Sequence, residues 1–231
     1  MFLKERKESA LEKSSSDYAH AAIKGVLSAV PIAGGPLSVF FETVFSAPID
    51  KRKEEWLLSL EKSITNLTEK DANITVESLR DNDAFISIAM QATQIAIRNH
   101  QKEKLEALRN AVINAVKLES RDEDKALIFT RLIDELTPLH IKVLSFLDNP
   151  DPYEKILQEK AGKNTFVHYS GNINIWEETN PDLRSSNPLI EIIVKELHSK
   201  GFVYHDNMHM GKGRVTTNHG REFLRFIQNQ T

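Results

Sequence analysis

Five of the eight histidines, His168, His198, His205, His209 and His219, fall in the last third of the chain, and histidine is the commonest metal ligand among side chains. His205 and His209 have the spacing that places two ligands on one helical face, with Asp206 beside them. The surrounding HDNMHMGKG is glycine-bounded and reads as a loop, however, and without cysteine no third ligand is fixed by sequence. No metal site is expected. Gly211, Lys212 and Gly213 lack the spacing of a phosphate-binding loop and do not follow a strand and open a helix. Glu54 with Glu55, and Glu177 with Glu178, are adjacent carboxylates; neighbours on a helix point in different directions and make no acid/base pair. No serine, histidine and acid set stands out, so the expected chemistry is non-catalytic and uses no cofactor.

The 231 residues suffice for one large or two small domains and a buried core. A formal net charge of -3 argues against a surface built throughout for nucleic acid. The charge is uneven: Lys200 to Thr231 carries five cationic side chains against two carboxylates. Absence of cysteine excludes disulfides and thiolate chemistry, and it fits a reducing compartment. The opening MFLKERKESALEKSSSDYAH has charges where a signal peptide would have its apolar core. A cytoplasmic protein is expected, with residues 1–18 as a flexible entry.

Between Ala19 and Ile49 the only formal charges are Lys24 and Glu42. Pro31, Gly34, Gly35 and Pro36 break this run below the roughly 20 apolar residues of a spanning helix. It reads as a helical hairpin: one helix from Ala21 to Val30, a turn at PIAGGP, and a second helix from Leu37 to Phe45 with Pro36 at a first helical position. After Ser46 and Pro48, an amphipathic helix places Trp56, Leu60, Ile64 and Leu67 on one stripe. Lys51, Arg52 and Lys53 in its first turns, beside the hairpin residues Val39 and Phe40, form an arrangement able to rest on an anionic membrane surface or to serve assembly. The competing reading packs the hairpin and Trp56 into the core, as apolar helices in soluble chains usually are.

From Asp83 to Leu118 no glycine or proline interrupts the chain. Ala84 to Ile97 is uncharged and is expected to be buried on nearly all sides, whereas Leu105, Leu108, Val112 and Val116 recur at helical spacing among charges and predict one wet face. Arg98 to Lys104 either joins two helices or lies within one. A further helix is predicted from Asp122 to Leu136; then Thr137 reads as an N-cap with Pro138 at the first position of the next helix.

That helix, with Leu139, Ile141, Val143, Leu144 and Leu147, is stopped by Asp148, Asn149, Pro150 and Pro152. A second runs from Tyr153 to Lys160, and Asn164 to Pro181 reads as an insertion. Leu189, Ile190, Ile193, Val194 and Leu197 make a third, closed by Gly201 in a positive-φ cap. Phe202 to Tyr204 and Arg214 to Thr217 are expected as paired strands around HDNMHMGKG, and Gly220 to Ile227 as a last helix. The apolar helix, KGFV, polar loop and RVTTNHGREFLRFI resemble the end of many bacterial winged-helix domains over about the last 95 residues. The resemblance implies DNA binding or protein pairing, with Lys195 and His198 on the recognition helix and Lys212 and Arg214 on the wing as contacts. Glu191 and Glu196 depart from a DNA reader, since carboxylates repel phosphate.

The expected protein is therefore mainly α: a helical hairpin or bundle over 19–120, then a winged-helix domain with a small β-wing over 121–231. Its expected function is non-catalytic binding, with the winged helix docking protein or DNA and the N-terminal helices mediating self-association. The alternative is a membrane-active defence effector using the hairpin 19–49.

Overall fold

A computed structural model of the chain describes residues 36–116, 122–161, 171–184, 188–206 and 213–228, with side chains from residue 49 onward. The expected flexible entry, the first helix of the hairpin and its turn lie outside these residues. The chain divides into two compact units, Met1–Lys51 and Arg52–Thr231, and the core lies in the second.

Helix α1 spans Pro36–Lys70, with Pro36 as its first residue. The break expected at Ser46 and Pro48 is absent; the hairpin's second helix and the amphipathic helix are one element. Two magnitudes account for this. An interior proline costs roughly 3 kcal/mol, while ending a helix and starting another requires a fresh nucleation with a penalty near 10⁻³, or roughly 4 kcal/mol. Downstream, Trp56 and Leu60 are buried and Ile64 and Leu67 pack against the core, as the stripe predicts.

The short α2, Val76–Arg80, is held by a capping box in which Thr75 Oγ1 accepts from Ser78 N and Ser78 Oγ accepts from Thr75 N. Helix α3 covers Asp83–Arg98, its N-cap Asn82 accepting from Phe85 N, and α4 covers Lys102–Ala115. The polar patch at 98–104 thus separates two helices. Ala84, Phe85, Ile88, Ala92, Ile95 and Ala96 face the core, but Met90 is 61% exposed, so α3 is not buried on nearly all sides as expected. Small side chains leave room for close packing on one face, and α3 lies against α2, α4 and α5 without being enclosed.

Helix α5 is Glu123–Glu135 and α6 is Pro138–Asp148. Thr137 and Pro138 occupy the predicted N-cap and first position. Then follow α7, Asp151–Ala161; α8, Asn172–Thr179, inside the segment read as an insertion; a 3₁₀ turn at Pro181–Leu183; α9, Pro188–Ser199; and α10, Asn218–Ile227. Trp176 of α8 is fully buried, packs edge-on to Phe146 of α6 and donates from Nε1 to Leu183 O at 2.6 Å. Phe129 of α5 meets Phe223 and Phe226 of α10 at ring-centroid distances of 5.4 and 5.6 Å, and Phe223 stacks on Phe202 at 4.8 Å. One aromatic seam therefore joins α5 to the C-terminal helices. The boundary expected at 120 falls inside the second unit, where α4 and α5 pack on each other and α10 packs on both.

The expected paired strands are not formed. Among the described residues there is no strand, only the antiparallel bridge between Val203 and Thr216, flanked by Tyr204 N to Val215 O at 3.1 Å and Thr217 N to Phe202 O at 2.9 Å. The pairing stops because its neighbours have other partners: Val215 N donates to Leu147 O at the end of α6, and Gly201, at φ +74°, turns out of α9 immediately before the bridge. The chain is mainly helical.

Candidate functional site

The outer face of α9 is the surface on which the sequence placed recognition. Ile190, Ile193, Val194 and Leu197 are buried, which turns Leu189, Glu191, Ile192, Lys195, Glu196 and His198 outward. Lys195 Nζ donates to Glu191 Oε1 at 2.6 Å, one turn away on the same helix. That contact lowers the Glu191 pKa and raises that of Lys195, in both cases chiefly through the hydrogen bond. Leu189 and Ile192 are 49% and 52% exposed beside this pair.

Glu196 is tied to α6. His140 is buried, and its Nδ1 accepts from Thr137 N at 3.2 Å, so the ring proton belongs on Nε2, which donates to Glu196 Oε2 at 2.8 Å. One imidazole thus caps α6 and anchors α9 upon it.

The segment expected to be the base of a wing is pinned by side chains the sequence did not single out. Fully buried Asn172 donates from Nδ2 to Gly213 O at 2.7 Å and accepts from Gly213 N at 3.0 Å. Arg214 Nε donates to Asp148 O at 2.9 Å, with Asp148 Oδ1 at 3.4 Å, and Thr216 Oγ1 donates to Asp148 Oδ1. Arg214 is thus committed to the carbonyl end of α6, where a cation is favoured by the helix dipole. Lys212 and His209 lie outside the described residues. His205 is described, and no group of three or more side chains able to hold a metal occurs among the described residues.

Of the membrane or assembly residues, Lys51 is exposed, Arg52 and Lys53 are half-buried, and Trp56 belongs to the core. Trp56 is 4% exposed, with Nε1 donating to Thr93 Oγ1 of α3 at 2.9 Å. Val39 and Phe40 lie on α1, their side chains outside the described set. Among the described residues no helix is long and apolar enough to cross a membrane.

A second feature was not foreseen: an open groove of about 940 Å³ between α1, α4, α5 and α10. Leu67, Ile113, Phe129 and Phe226 supply apolar lining, and cations from all four helices line the groove with them. On α1, Lys62, Asn66 and Lys70 form a row at four-residue spacing, the one signal that sequence inspection could have used. Lys125 of α5 is bridged to Asp122 at 3.1 Å and to Glu222 of α10 at 3.5 Å; its pKa is raised, first by the Asp122 hydrogen bond.

Compared with known proteins, the chain matches no family model, no curated protein and no solved structure at a significant level.

Proposed function

We propose that this is a non-catalytic docking protein whose C-terminal helices, arranged in the manner of a winged helix, bind a second copy of the chain through the outer face of α9. The observation that carries this reading is the half-exposed Leu189 and Ile192 beside an internally neutralised Glu191 and Lys195. A DNA-reading helix needs cations free for phosphate and donors free for base edges. Here the helix cation is held by a carboxylate, Glu196 adds negative charge, and Arg214 is occupied at Asp148. A strip with an apolar pair and one charge of each sign is complementary to itself under a two-fold axis: Glu191 of one protomer can meet Lys195 of its partner across the joined apolar residues.

The remaining winged-helix features supporting the reading are the order of α6, α7 and α9 and the bridged Val203 and Thr216 after them. Sedimentation velocity over rising concentration tests it. The parent chain is expected to pass from monomer to dimer, and Ile192→Asp to weaken that equilibrium about ten- to a hundredfold with thermal unfolding unchanged. A parent chain monomeric at its highest soluble concentration contradicts the proposal. A salt-dependent gel shift weakened by Lys212→Ala with Arg214→Ala would establish the DNA reading instead.

A further inference from the structure

The groove between α1, α4, α5 and α10 collects cations in a chain whose net charge is negative. Lys125 is neutralised by Asp122 and Glu222. Arg109 is different: half-buried in the groove wall, it donates from Nη1 to the neutral Ser59 Oγ at 3.2 Å, and among the described residues no carboxylate pairs with it. Lys62 and Lys70 on the facing row are exposed and likewise have no carboxylate partner among the described residues. A half-buried guanidinium oriented by a hydroxyl keeps its other donors for an acceptor the protein does not supply. Glu106 is the carboxylate of the lining outside the Lys125 bridge.

Beneath these cations the wall is apolar, with Leu67, Ile113 and Phe226. The wall is also fixed in place. Asn114 Nδ2 of α4 donates to Phe226 O at 2.8 Å and Gln228 O at 3.1 Å, and Asn110 Nδ2 donates to Ile227 O at 3.0 Å, so side chains of α4 cap the carbonyl end of α10. The groove volume falls within the range of small-ligand sites.

From this arrangement we infer that the groove binds a small amphipathic anion, whose ring or short chain lies on Leu67, Ile113 and Phe226 while its phosphate or carboxylate head is held by Arg109, Lys62 and Lys70. The head gains charge-assisted hydrogen bonds, strongest at the guanidinium, and the body is removed from water. An anion without the apolar body leaves the wall wet, and the body without its charge leaves three cations unanswered.

Isothermal titration of the 231-residue chain with 1-naphthyl phosphate, inorganic phosphate and 1-naphthol tests the inference, using Ile192→Asp as the background so that the result does not depend on self-association. Naphthyl phosphate is expected to bind at least about tenfold more tightly than either half-probe, with an affinity that falls as salt rises. Lys62→Ala with Lys70→Ala should weaken it about tenfold or more, and Asn66→Trp, a bulky exposed substitution in the same row, should abolish it, all with unchanged thermal unfolding. Absence of naphthyl phosphate binding, equal binding of naphthol, or undiminished binding by the folded double-alanine variant would each overturn it.

Discussion

At the scale of single residues, Gly220 gives the sharpest test of the packing of α10 against the backbone that follows α9. A Cβ built there would lie 2.3 Å from Phe202 O, a backbone atom with little freedom to move. Replacing a helical glycine with alanine ordinarily stabilises by about 0.5–1 kcal/mol. Here the close approach reverses the sign, and Gly220→Ala is expected to destabilise by about 1–3 kcal/mol, the usual range for overpacking. Denaturant unfolding measures it, and a gain in stability would refute the contact. Some single residues were legible in the sequence because their cause is local. Thr137 before Pro138 is an N-cap, and Gly201 takes the positive φ that a helix end requires. Asn172 was not legible, since its partner Gly213 is 41 residues away and an asparagine that pairs with backbone looks like any other in the sequence. Trp56 supported two readings, membrane anchor and core, and its burial with a bond to Thr93 on another helix is visible only in the folded chain.

At the scale of elements, the helices were largely visible in the 3.6-residue period, and the errors lie where local and non-local terms compete. Pro48 argued for a break that cooperativity within α1 overrides. Residues 203 and 216 had strand-like composition, but a single bridge was formed because the adjacent Val215 amide is taken by α6. The end of α5 shows another non-local device. Lys104 of α4 is buried and donates from Nζ to Asp134 O at 2.7 Å, covering a carbonyl in the last turn of α5. Burial lowers its pKa from the ordinary 10.5, against the attraction of Asp134 and with a smaller contribution from Arg98. A lysine whose folded pKa lies below the unfolded value costs stability while charged in both states, and that cost vanishes as pH rises through the folded value to 10.5. The unfolding free energy of the parent relative to Lys104→Met should therefore increase across this alkaline window in denaturant melts at stepped pH. A constant or falling difference would mean that the ammonium is well solvated.

At the scale of the whole molecule, charge and apolar surface are distributed in ways that composition conceals. A net charge of -3 coexists with a groove whose uncommitted cations come from α1 and α4, brought together only by folding. The sequence divided the chain at 120, whereas α4 and α10 pack on each other across that point, with Asn110 Nδ2 donating to Ile227 O at 3.0 Å. Sequence inspection found the exposed charges of α9 correctly, yet it could not see that Lys195 is neutralised by Glu191 and Glu196 is held by His140. Those two contacts leave fewer free charges on α9 for nucleic acid and support the proposal that α9 meets its counterpart in a second copy. Because the chain has no cysteine, Ser199→Cys supplies a single thiol for a spin label at the exposed end of α9, clear of Leu189 and Ile192. Electron–electron double resonance on that labelled chain, at concentrations where sedimentation shows dimer, should give one short interprotomer distance that disappears on dilution with unlabelled protein; a dimer with no dipolar coupling in measurable range would place the contact elsewhere and contradict the account.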